Sequence, residues 1–119
     1  MKLDMVGIIV RDLPQSITFY QQLGFSVAER LDNYAELIND GVRISLNTTQ
    51  MITQVYGFEP TLTGEKIELA FRCDTRAEVD ALCLKLQHVV VKQPWDAFWG
   101  QYYAIIKDPN GNLLSLFHE

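Results

Sequence analysis

Cysteine is scarce: Cys73 and Cys83 are the only two in 119 residues. They form no Cys-x-x-Cys pair, and no histidine stands at zinc spacing, so a disulfide scaffold and a structural zinc ribbon are excluded. The two read as reduced core thiols. Histidine is equally rare, with His88 and His118 alone. Positive charge is short as well: 10 Lys and Arg stand against 15 Asp and Glu, for a formal net charge of -5, with no basic run or stripe. That balance argues against nucleic acid or an anionic membrane surface as a partner. No stretch approaches the ~20 apolar residues of a membrane-spanning helix. Met5–Val10 is too short for a signal-peptide core and lacks a small-residue cleavage site. The expected location is the cytoplasm.

What is present suits a packed domain. Hydrophobic residues make up 48% of the chain, an ordinary value for a globular core. The length suits one domain, 1–119. Met5–Val10 predicts a buried strand. Asp12 then caps a helix through about Tyr20, with Pro14 in its first turn and Gly24 past its end. Strands follow at Phe25–Leu31, Tyr34–Ile38 and Val42–Asn47, the last two joined by a turn at Asn39-Asp40-Gly41.

Residues 48–65 read as a connector. The order then repeats. Ile67–Cys73 predicts a strand, Thr75 and Glu78 a capping box, and Val79, Leu82, Cys83 and Leu86 a helix face. Val89–Val91, Tyr102–Lys107 and Leu113–Phe117 predict three more strands. Asp108-Pro109-Asn110-Gly111-Asn112 turns the chain between the last two. The reading is α+β, with one βαβββ module over 1–47 and a second over 66–119.

Two stretches carry a family resemblance. Val6–Phe25 has a strand, then Asp-Leu, Phe-Tyr and Leu-Gly-Phe. Trp99–Phe117 has Trp-Gly and then Asp-Pro-Asn-Gly-Asn. With them the chain resembles the vicinal oxygen chelate superfamily, the glyoxalase/bleomycin-resistance/dioxygenase group, and its bleomycin-resistance branch in particular. The resemblance implies two βαβββ modules curled into a half-open barrel around a cavity, often shared between two subunits, so a homodimer is expected. It also implies that metal ligands, where present, stand on the first and last strands of each module. Those positions here are Met5, Ser45, Glu68 and Ser115. A thioether and two hydroxyls are poor ligands for Zn, Ni, Mn or Fe(II), and one carboxylate cannot complete a site. No metal and no cofactor are expected. His118, at the opposite strand parity from Ser115, reads as a solvated terminal residue.

Strand alternation puts Arg43, Asn47, Leu113 and Phe117 on the faces of Ser45 and Ser115, and Gly7, Ile9, Ala70 and Arg72 on those of Met5 and Glu68. Glu68 reads either as half of a buried ion pair with Arg43 or Arg72, or as a carboxylate facing a ligand. Arg43 could alternatively grip an anionic group. The segment Trp95–Tyr103 holds both tryptophans of the chain. It reads as a lid or interface, or as a stacking wall for a planar ligand.

The expected function is that of a metal-free binding protein, sequestering a planar aromatic or cationic antibiotic-like compound. Its expected contacts are Arg43, Ser45, Asn47, Glu68, Trp95, Phe98, Trp99, Tyr102 and Ser115. The alternative is a metal-independent lyase or isomerase with Glu68 as general base.

Overall fold

The computed structural model describes residues 3–64 and 68–119. The chain divides into two compact units, Met1–Leu62 and Thr63–Glu119. In the first, β1 (Met5–Val10) leads into α1 (Leu13–Gln22). Asp12 starts this helix by accepting the Gln15 N–H at 2.9 Å. Gly24 closes it in the left-handed region, at φ 116°. Three strands follow: β2 (Val27–Arg30), β3 (Tyr34–Leu37) and β4 (Arg43–Thr48). They form one sheet in the order β1-β4-β3-β2, with β1 parallel to β4 and the other pairs antiparallel. Helix α1 packs on β3 and β4, burying Leu13, Ile17 and Tyr20 together with Ile44 and Leu46.

The segment expected to be a connector contains a further helix, α2 (Thr49–Tyr56). Thr48 caps it through its hydroxyl, which accepts the Met51 N–H at 3.1 Å.

The second unit repeats the plan: β5 (Leu69–Arg72), α3 (Arg76–Lys85), a 3-10 turn at Gln87–Val89, β6 (Val90–Asp96), β7 (Tyr102–Lys107) and β8 (Leu113–His118). The sheet order is β5-β8-β7-β6, again with its first strand parallel to its last. The expected strand start at Ile67, and the expected module boundary at 65 and 66, lie outside the described residues. Thr75 caps α3 by accepting the Glu78 N–H at 3.0 Å. The Glu78 carboxylate takes the N–H of Asp74 rather than that of Thr75, so the reciprocal bond falls one residue before the expected box. The β7–β8 turn is built on Asp108, which accepts from the N–H groups of Asn110 and Asn112 at 2.9 and 2.8 Å. Helix α3 packs on β6, β7 and β8.

Strand β6 runs on to Asp96, well past the Val91 expected from sequence. It is the outer strand, carries Pro94 and shifts register twice against β7, between Val90 and Lys92 and between Lys92 and Trp95. An outer strand tolerates a proline because one of its edges needs no ladder donor.

Candidate functional site

Register defines which side chains share a face, and the two units use matching positions differently. In the first unit, Gly7, Ser45, Glu36 and Glu29 form one row across the four strands, and Ile9, Asn47 and Tyr34 form the next. This face is polar. Ser45 and Asn47 are buried, and the Asn47 amide donates to Ser45 Oγ at 2.9 Å. Gly7 leaves room for that pair: a Cβ there would lie 3.3 Å from Asn47 Nδ2 and 3.5 Å from Ser45 Oγ.

Arg43, also on this face, donates from Nε and Nη2 to the two Glu36 oxygens at 2.6 and 3.1 Å, and from Nη1 to Asp4 at 3.0 Å. Tyr34 adds its hydroxyl to Glu36 at 3.1 Å. The Arg43 hydrogen bonds hold the Glu36 carboxyl below its ordinary pKa, and those same bonds push Arg43 up. Partial burial, with the bond to Glu36, pushes the Tyr34 hydroxyl up. The guanidinium is therefore committed to two carboxylates of its own unit rather than to Glu68. Neither Glu36 nor Asp4 was singled out in the sequence, because partners 7 and 39 residues away become neighbours only once strand order is known.

In the second unit the matching rows are Ala70, Ser115, Ile105 and Lys92, and then Arg72, Phe117, Tyr103 and Trp95. Here the face is aromatic. The Tyr103 and Phe117 rings stack at 6.2 Å, and Trp95 meets Tyr103 edge-on at 5.4 Å. The β6–β7 hairpin folds Trp99 onto the same face, 5.2 Å from Tyr103 and 6.1 Å from Trp95. The hairpin is closed by the Ala97 N–H to the Gln101 carbonyl at 2.8 Å, with Gly100 at φ 101°.

Trp99 is anchored through its indole N–H, which donates to Gln101 Oε1 at 2.8 Å; Gln101 donates in turn to the Glu119 carboxylate at 3.0 Å. The Trp95 ring is covered by the Lys92 ammonium at 3.8 Å. Phe98 caps the tip, 5.0 Å from Trp99 and 97% exposed, so it does not close a core.

Tyr103 and Phe117 complete the aromatic face although neither stood among the expected contacts. Period-two alternation from Ser115 reaches Phe117, but the pairing that brings Tyr103 beside it is not visible in sequence. Tyr102, by contrast, turns the other way. Its hydroxyl donates to Asp80 on α3, and Arg76 lies 3.9 Å above its ring while bonding Asp96 at 2.6 Å. The bond to Asp80 raises the Tyr102 pKa, and Arg76 lowers that of Asp96. Tyr102 thus pins α3 to its sheet and does not join Trp95, Trp99 and Tyr103. Glu68 is exposed just before β5.

The donor set does not fit a resident metal. Met5 offers a half-exposed thioether, Ser45 Oγ is engaged by Asn47, and Ser115 is a buried hydroxyl. Such groups are weak ligands for the transition metals that bind imidazole and carboxylate. Among the described residues, no three of His, Cys, Asp and Glu gather into a metal-holding group. His118, expected to be solvated, is half-buried, with Nδ1 3.1 Å from the Cys73 carbonyl.

Paired βαβββ units of identical strand order, each with a helix on one sheet face and a decorated opposite face, define an α+β protein of the glyoxalase type. The chain belongs to the Glyoxalase/Bleomycin resistance protein/Dioxygenase superfamily, whose family model matches residues 2–116. It is similar to the bleomycin resistance proteins of Geobacillus stearothermophilus and Staphylococcus aureus. Each is 28% identical over an aligned length of 120 residues, covering 92% of this chain and 91% of the relative. A glyoxalase/bleomycin resistance protein/dioxygenase family enzyme from Burkholderia phytofirmans PsJN, also 28% identical, superposes with a TM-score of 0.86 over 99% of this chain and 98% of its own. A glyoxalase-related enzyme from Fulvimarina pelagi shares the fold at 17% identity, with a TM-score of 0.91 over 99% of this chain and 88% of that one.

Proposed function

We propose that this chain binds a planar aromatic, antibiotic-like small molecule and sequesters it unchanged, without a metal or other cofactor. The observation that carries this reading is the aromatic face of the second unit. Trp99 is 48% exposed yet held in place by Gln101, and Phe98 stands open beside it. An apolar ring laid on such a surface gains roughly 0.5–1.5 kcal/mol per aromatic contact beyond the area it buries. A pre-anchored indole also loses little conformational freedom on binding. The bleomycin resistance relatives support the same class of activity. The poor metal chemistry of Met5, Ser45 and Ser115 points away from metal-dependent turnover. Catalysis by Glu68 has less support, because an exposed carboxylate stays solvated and no described residue orients it. Action in the cytoplasm and as a homodimer completes the proposal. Among the described residues no helix is long and apolar enough to cross a membrane.

Both tryptophans lie in this hairpin, so tryptophan emission reads the proposed face directly. Titration with a panel of planar aromatic antibiotics, anionic and neutral ones as well as bleomycin and cationic intercalators, is expected to quench it, with each bound compound recovered intact by mass spectrometry. Trp99→Ala is expected to weaken binding roughly tenfold. Absence of quenching and of calorimetric heat across the panel would sink the proposal. So would stoichiometric uptake of zinc, nickel or manganese with turnover of the compound.

A further inference from the structure

The proposed binding face leaves the charge of its ligand open, and the electrostatics of the second sheet bear on that choice. Arg72, Phe117, Tyr103 and Trp95 stand in one row, each on a different strand. At ~4.8 Å per strand the row is roughly 14 Å wide, about the length of a fused two- or three-ring system with one substituent. A cation stands at each end, Arg72 beyond Phe117 and Lys92 over Trp95.

The adjoining row places small side chains, Ala70 and Ser115, next to Arg72 and Phe117. Both Arg72 and Lys92 are exposed. Among the described residues neither is tied to a carboxylate, whereas Arg43 and Arg76 are held by Glu36 and Asp4 and by Asp96. The matching row positions of the first sheet carry the opposite sign, with Glu36 and Glu29 where the second has Ile105 and Lys92. The sign at these row positions therefore differs between the two sheets.

A cationic ligand would meet two disadvantages here. The Trp95 ring face that would attract it is already covered by Lys92, and the ammonium of Lys92 repels a second cation. A negative group at either end of a planar ligand meets a cation that no described carboxylate holds.

From this charge complementarity we infer that the Tyr103 face of the second unit takes a planar aromatic anion, such as an aryl carboxylate or sulfonate, with Arg72 at one end or Lys92 at the other as its counter-charge. The inference rests on the binding role proposed above and narrows its ligand class. It is tested with three naphthalenes of one shape: 2-naphthalenesulfonate, neutral 2-naphthylmethanol and 2-naphthylmethylammonium. Each is titrated against tryptophan emission and by calorimetry. The sulfonate is expected to bind roughly fivefold more tightly than the alcohol, and the ammonium more weakly than either. The preference is expected to fade in about 1 M salt, where screening acts over ~3 Å.

The doubly substituted Arg72→Gln, Lys92→Met protein is expected to bind sulfonate and alcohol alike. An unchanged tryptophan emission spectrum of the free protein and an unchanged urea midpoint show that the face remains intact. If the alcohol or the ammonium binds as tightly as the sulfonate, or the double substitution leaves the preference in place, the anion assignment is wrong while the binding role stands. If none of the three binds while a compound of the antibiotic panel does, the anion assignment fails and the binding role stands; if the panel fails as well, the binding role itself fails.

Discussion

Gly7 stands where a side chain would crowd the polar pair of the first sheet. Its missing Cβ keeps the Asn47 amide and the Ser45 hydroxyl in their 2.9 Å bond. Alanine adds one methyl 3.3 Å from the amide nitrogen, a squeeze that a small amide shift relieves. It also removes the chain entropy that glycine gives the unfolded state. The two effects oppose one another. Valine adds two further carbons that the buried pair cannot escape. Gly7→Ala is expected to be close to neutral, and Gly7→Val to cost about 1–3 kcal/mol in urea unfolding. A valine protein as stable as the parent would mean that the Ser45–Asn47 face is loosely packed.

At the scale of the element, strands β3 and β4 are tied by the Glu36–Arg43 pair, and α3 is tied to β6 by Arg76 and Asp96. Both carboxyls are held below their ordinary pKa by their arginine partners. A carboxylate with a lowered folded pKa stabilises the fold above its unfolded value, and that contribution is lost as pH falls through the folded one. Glu36→Gln is therefore expected to flatten the loss of stability between about pH 5 and pH 3, read from urea midpoints. An acid limb as steep as the parent's would show the pair to be thermodynamically idle.

The same elements show how far a sequence can be read. Strand β1 and strand β7 were legible to the residue, because apolar runs flanked by caps and turns need no long-range information. Helix α2 was hidden. Its TQMITQVY sequence is rich in β-branched residues and threonine, which carry little helical signal. The far end of β6 was hidden by Pro94, since a proline within a run argues against a strand unless an outer edge is known. Trp95, Phe98 and Trp99 stood out by composition, but the Tyr103–Phe117 stack and the flanking Arg72 and Lys92 required register.

For the whole molecule, the repeated topology means that each unit carries its own helix-backed core. In the second, Cys73 and Cys83 are both buried. Burial, reinforced by the charge of Glu78, pushes the Cys73 thiol up to about 11. Burial likewise raises Cys83, with Asp80 adding to it. Little reactive thiolate forms at neutral pH. A disulfide-exchange reagent at pH 8 is expected to label the folded protein slowly and both thiols promptly once urea unfolds it. Prompt labelling of the folded protein would place a thiol at the surface.

The irregular course of β6 has a further consequence at this scale. An outer strand with a continuous row of free N–H and carbonyl groups is a template for an incoming strand, and fibrils grow by that route. Along β6 the template is interrupted, because Pro94 offers no donor and the strand shifts register on both sides of Lys92. The hairpin that keeps Phe98 and Trp99 in the open is thus carried by an edge poorly suited to backbone pairing. Its sticky surface is left to rings and side chains, and recruitment of another chain by strand addition is discouraged.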